Sequence, residues 1–177
     1  MLLHQLKPPV CKGKKKLDPN FIDPQTIEHD ILTTNIQDDL VICYTDGSAS
    51  PNPGPCGAGA SVFIAATATV VDIGASLGFG SNNYAELYAL GMLFIELANT
   101  CTSDPSISTA FIFCDSNLAI NAATSKKIPL TNVPITRFLR LALEALNGVI
   151  KVGLKWIRGH SRIGGNERVD RISKRYA

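Results

Sequence analysis

The segment Thr45–Ala60, TDGSASPNPGPCGAGA, sets a carboxylate, Asp46, between two strand-like runs. The apolar run Leu40-Val41-Ile42-Cys43-Tyr44 leads into it and predicts a buried strand that ends at Asp46. A glycine and a stretch of Ser, Pro, Asn and Gly follow, residues that interrupt regular structure. Ala58–Ile64 predicts a second strand. An acidic side chain is thus held in or beside a sheet while small residues clear space around it. A lone buried carboxylate is costly and takes up a proton unless a cation sits on it. On its own, Asp46 fits equally a strand-end aspartate that caps its own turn.

Upstream, residues 1–39 are of a different character. Pro8-Pro9, the basic run Lys12-Gly13-Lys14-Lys15-Lys16, Asp18-Pro19 and Asp23-Pro24 show no sustained period and predict a tail or linker. The basic run could bind nucleic acid or act as an import signal, though such a run is more often an ordinary solvated charge cluster. The domain proper is placed at 40–177.

Downstream, Ala65-Ala66 connects to a third strand, Thr67–Ala75, completing an antiparallel meander. A loop over Gly78–Asn83 precedes a helix, Tyr84–Asn99, whose Leu87, Leu90, Phe94 and Leu97 recur at helical spacing. Gly91 in that helix is expected to let it sit close to the sheet. Phe111–Cys114 predicts a fourth strand ending at Asp115, and Ser116 a cap for a helix over Asn117–Thr124. A helix over Ile135–Asn147, a strand over Val149–Trp156, a loop over Arg158–Gly165 and a helix over Asn166–Arg175 complete the order. Strands that alternate with helices pair in parallel. The fold class is therefore α/β, a mixed five-stranded sheet of three antiparallel strands then two parallel ones, with helices on both faces.

A chain of 177 residues with 45% hydrophobic content and a formal charge of +2 is expected to be a soluble single domain. No apolar stretch reaches membrane-spanning length and no leader-like run follows the N-terminus, so an intracellular location, cytoplasmic or nuclear, is expected. Five scattered cysteines without CxxC spacing argue for reduced core thiols, against a disulfide framework or a zinc site. The charge is uneven. No Lys or Arg occurs between Val41 and Ser125, whereas eight lie between Lys151 and Ala177. One region gathers carboxylates; the other can meet polyanions.

Four acidic residues hold special places: Asp46 after the first strand, Glu86 in the first turn of the first helix, Asp115 after the fourth strand, and Asp170 early in the last helix. Open sheets bind ligands at the carboxyl ends of their strands. Crowded carboxylates repel, and a hard divalent ion such as Mg²⁺ or Mn²⁺ relieves that repulsion. Two ions about 4 Å apart can activate water and stabilise the leaving oxygen of a phosphodiester. Singly, Glu86 and Asp170 suit helix N-termini and Asp115 suits a turn.

The blocks YTDGSASPNPGPCGAGA, SNNYAELYAL, FIFCDSNLAI and KWIRGHSRIGGNERVDRISK resemble type 1 ribonuclease H in order and spacing, over Val41 to Ala177. The resemblance implies an RNase H-like fold and hydrolysis of the RNA strand of an RNA/DNA hybrid, leaving a 5′-phosphate and a 3′-hydroxyl. It implies that Asp46, Glu86, Asp115 and Asp170 are catalytic and hold two Mg²⁺ ions, with Mn²⁺ as a substitute. It implies that His160, in the Gly159-His160 pair, assists proton transfer and product release. Asn52, Asn82, Asn83 and Asn117 match positions that touch the hybrid, Asn117 standing where Gln is usual. Singly, all four Asn suit ordinary turns or caps. The closing block most resembles domains attached to reverse transcriptases of non-LTR retrotransposons, which suggests a reverse transcriptase domain in a parent polyprotein as a partner. A monomer without membrane partners is expected. Two competing readings are a DNA nuclease or strand transferase of the same fold, and a non-catalytic domain that binds nucleic acid or a polymerase.

Overall fold

The computed structural model describes residues 39–125, 131–159 and 163–177. The expected tail up to residue 38, the connection around Lys126 and Lys127, and His160 lie outside the described residues. The elements are β1 (Leu40–Ala49), β2 (Gly54–Ile64), a 3₁₀ turn (Ala65–Thr67), β3 (Thr69–Gly80), α1 (Asn82–Ser103), β4 (Thr109–Cys114), α2 (Asn117–Thr124), α3 (Val133–Asn147), β5 (Lys151–Trp156) and α4 (Gly164–Tyr176). One sheet runs in the order β3-β2-β1-β4-β5. β1 pairs antiparallel with β2, as β2 does with β3; β1 pairs parallel with β4, as β4 does with β5. This is the mixed sheet expected from the order of strands and helices.

Leu40–Tyr44 is apolar without alternation because β1 is the central strand and both its faces are covered. Val41 and Cys43 join Ala60, Val62 and Ile112 in a core closed by Leu87, Leu90 and Phe94 of α1 and Leu139 of α3. On the other face Tyr44 stacks on Phe113, their ring centroids 5.3 Å apart, beneath the start of α4. Helices thus lie on both faces, α1 to α3 on one and α4 on the other. Four free cysteines, Cys43, Cys56, Cys101 and Cys114, are buried, and burial pushes the Cys114 thiol up to about 12. Among the described residues no helix is long and apolar enough to cross a membrane.

Several boundaries differ from expectation for one reason. β2 and β3 pair past the expected loop, with Gly54↔Gly80, Pro55↔Phe79 and Cys56↔Gly78 in register beyond a bulge at Cys56/Gly57. The ladder satisfies backbone groups that glycine-rich sequence leaves ambiguous. β3 therefore runs to Gly80, and Ser81 caps α1 by accepting from Tyr84 N at 3.2 Å. Starting two residues early, α1 carries Glu86 as its fifth residue, just past its first turn. Gly91 does not face the sheet: a Cβ there would stand 2.5 Å from the Phe138 ring of α3, so this glycine brings two helices together.

Candidate active site

Asp46 does not end its strand. β1 continues to Ala49 because its ladder with β2 extends to Ala49↔Cys56, whereas its parallel pairing with β4 stops at Thr45↔Cys114. Asp46 and Asp115 are each the first residue past that last parallel pair, so they emerge side by side. Gly47 brings in the third carboxylate. A Cβ at Gly47 would lie 2.1 Å from Glu86 N and 2.2 Å from Ala85 C, so only a bare backbone lets α1 press Glu86 in beside Asp46. The fourth comes from α4, which rests on β2 where a Cβ at Gly59 would meet Val169 O at 2.7 Å. A bidentate pair, Arg168 to Asp72 at 2.6 and 2.8 Å, ties α4 to the edge strand β3.

Asp46, Glu86, Asp115 and Asp170 line one cleft of about 610 Å³, with Ser48, Ser50, Asn82, Asn166, Glu167 and Lys174 among the other walls. Each of the four carboxylates has a protein donor. Ser173 Oγ donates to Asp46 Oδ2 at 2.7 Å, Ser116 Oγ donates to Glu86, and Asn166 Nδ2 donates to Asp115 at 3.2 Å. Lys174 Nζ lies 2.8 Å from the Asp170 carboxylate. Burial, then the charges of Asp115 and Asp170, raise Asp46 to about 6 against the lowering effect of Ser173. Burial likewise raises Glu86, with Asp115 adding to it and Ser116 opposing. The hydrogen bond from Lys174 to Asp170 raises the lysine.

The donor set suits a hard cation. Among the described residues the side-chain carboxylates of Asp46, Glu86, Asp115, Glu167 and Asp170 line the cleft beside the Lys174 ammonium, and carboxylate oxygens are the donors a hard divalent ion takes. With the side chains turned to their protein donors, no three Asp, Glu, His or Cys among the described residues converge on one ion position. Gly159, the last described residue before His160, packs on Asp115, a Cβ there falling 2.8 Å from Oδ2.

A family profile described as RNase H matches residues 38–177. The chain belongs to the ribonuclease H family. It is similar to the Ribonuclease H of Polaromonas naphthalenivorans, 29% identical over 142 residues, with 76% of this chain and 85% of that protein covered. Among solved structures it is similar to RNase H1 from the halophilic archaeon Halobacterium salinarum, at 27% identity and TM-score 0.58, covering 77% of this chain and 96% of that one. It shares its fold with the LC11 RNase H1 from compost, solved in complex with an RNA/DNA hybrid, at 22% identity and TM-score 0.57, covering 76% of this chain and 94% of that one. The expected likeness to retrotransposon domains finds no support among these relatives.

Within this ribonuclease H domain the four expected carboxylates are together. The asparagines divide. Asn82 lines the cleft, its Oδ1 accepts from Ala49 N, and its own N–H donates to Asn52 Oδ1 at 3.2 Å, so Asn52 and Asn82 join the β1–β2 turn to the start of α1. Asn83 and Asn117 are exposed and do not line the cleft. Sequence reasoning passed over Asn166, Glu167, Ser173 and Lys174. The available signal was their spacing around Asp170, since i−4, i−3, i+3 and i+4 positions share a helix side.

Proposed function

We propose that this ribonuclease H hydrolyses the RNA strand of RNA/DNA hybrids with Asp46, Glu86, Asp115 and Asp170 as Mg²⁺-binding carboxylates. The observation that carries this is the meeting of four carboxylates from β1, α1, the end of β4 and α4 in one cleft. These carboxylates would hold Mg²⁺, which would supply positive charge for activating a water and stabilising the departing 3′-oxygen. The protein's part is orientation. β1 and β4 present Asp46 and Asp115 from rigid backbone, while α1 and α4 bring Glu86 and Asp170 from opposite faces of the sheet. Lys174 and Asn166 orient Asp170 and Asp115 by donating to their carboxylates. Asn82, which lines the cleft, and Asn52, hydrogen-bonded to it, offer short amides suited to 2′-hydroxyls and base edges of a minor groove. Asn83 and Asn117 are proposed as outer contacts of the same hybrid. His160, which follows Gly159 in the chain, is proposed to assist proton transfer at the leaving group.

The test is a cleavage assay on labelled RNA/DNA hybrid, RNA duplex and DNA duplex in Mg²⁺, with Asp46→Asn as control. Cleavage of the RNA strand of the hybrid alone, abolished by the substitution, is expected. Hybrid binding without cleavage would leave the domain a non-catalytic binder, and DNA cleavage would make it a nuclease of the other class.

A further inference from the structure

Ser173 lies on the face of α4 that meets the sheet, with none of its surface exposed. The helix gains nothing from a hydroxyl there, because serine is a poorer helix former than alanine and a buried hydroxyl has to find a partner. Two acceptors are in reach: Asp46 Oδ2 at 2.7 Å and the Asp170 carbonyl at 3.0 Å. One proton serves one acceptor at a time. The carboxylate contact is shorter and charge-assisted, whereas the carbonyl contact is the common back-bond of a helical serine.

The approach is built by both elements. Gly59 stands opposite Asp46 in the β1–β2 ladder, and a Cβ there would lie 2.8 Å from Ser173 N. A side chain at residue 59 would therefore push away the backbone that carries Ser173. Asp46 needs such an anchor. It sits among Asp115 and Asp170, and like charge would turn a free carboxylate away from both toward water.

We propose that Ser173 is a positioning residue of this site: by donating to Oδ2 it holds the Asp46 carboxylate in one orientation against its acidic neighbours and leaves Oδ1 for the cation. This rests on the proposed role of Asp46 as a Mg²⁺ ligand. Ser173 itself touches neither cation nor substrate.

Ser173→Ala in the full chain tests it. Alanine removes one atom and is the better helix former, so the variant folds. Mg²⁺ affinity is read on the substrate-free protein by titration calorimetry and by the Mg²⁺ dependence of Tm. The expected result is Mg²⁺ binding weakened about tenfold, in line with one lost charge-assisted hydrogen bond. A several-fold lower kcat on hybrid, with KM for the hybrid unchanged, is expected beside it. A variant whose Mg²⁺ affinity matches wild type overturns the proposal, whether or not its Tm has moved, since a merely structural hydroxyl would change Tm alone. Asp46→Asn, run in parallel, keeps the two ideas apart: if it still cleaves hybrid, the role of Asp46 fails, whereas an inactive Asp46→Asn beside a wild-type-like Ser173→Ala removes only the role of Ser173.

Discussion

Asp46 and Gly59 face each other across the β1–β2 ladder, and the missing side chain at Gly59 is what lets α4 lie against the Asp46 carboxylate. Gly59→Ala would put a methyl within 2.7 Å of Val169 O and 2.8 Å of Ser173 N, backbone atoms that cannot rotate aside. Overpacking of this kind costs about 1–3 kcal/mol. A lower urea midpoint is expected, with hybrid cleavage reduced as Asp170 and Ser173 withdraw. An unchanged midpoint would show that α4 lifts without cost.

The raised Asp46 makes stability pH-dependent in the metal-free protein. Its folded pKa of about 6 stands above the ordinary 3.8, chiefly through burial. A carboxyl with a raised folded pKa gives stability that is fully present below about pH 4 and is lost as pH rises through about 6. By pH 7 the loss amounts to at most about 3 kcal/mol for one group shifted by about two units. Glu86 acts in the same direction. Asp46→Asn should therefore raise Tm in EDTA at pH 7, with the gain shrinking toward pH 4. A gain independent of pH would disconnect it from the carboxylate.

Mg²⁺ should reverse the penalty. At pH 7 its addition is expected to raise the Tm of the wild type, since a ligand that binds only the folded state stabilises it. Asp115→Asn should diminish that rise and abolish hybrid cleavage. Full cleavage by purified Asp115→Asn would remove Asp115 from the site.

Lys174 holds Asp170 at 2.8 Å with its side chain 58% exposed. Its ammonium competes with any other cation for that carboxylate. Lys174→Gln should lower the Mg²⁺ concentration for half-maximal binding a few-fold, in line with the loss of one partly screened charge. A higher Mg²⁺ requirement in a titration of this variant would mean that Lys174 supports the site instead of competing for it.

His160→Ala should slow turnover by roughly 10²-fold or more, the usual contribution of a placed proton carrier, without weakening Mg²⁺ binding. Loss of Mg²⁺ affinity in calorimetry would make His160 a ligand.

Much of this was legible along the chain. Leu40–Tyr44 is unbroken apolar sequence because a strand covered on both faces has no polar side to show, and Ser116 marked the start of α2 to the residue. Glycine-rich pairing hid the rest. Nothing local distinguishes a loop at Gly78–Gly80 from a strand whose hydrogen bonds are supplied by β2, and pairing with the other edge of β2 carried β1 past Asp46. Gly91 was expected to serve the sheet and serves Phe138, because helical spacing shows that a small residue is needed without showing which neighbour needs it.

By itself, the sequence determined the order and spacing of the four carboxylates proposed to act here, since acid type, motif spacing and strand order are properties of the chain. Only the tertiary structure decided what Asp46, Glu86 and Asp115 touch. Ser173 reaches Asp46 across 127 residues, Asn166 reaches Asp115 across 51, and Ser116 reaches Glu86 across 30. Those contacts follow from how closely α1 and α4 dock on bare backbone at Gly47 and Gly59, and docking distance leaves no period in a sequence.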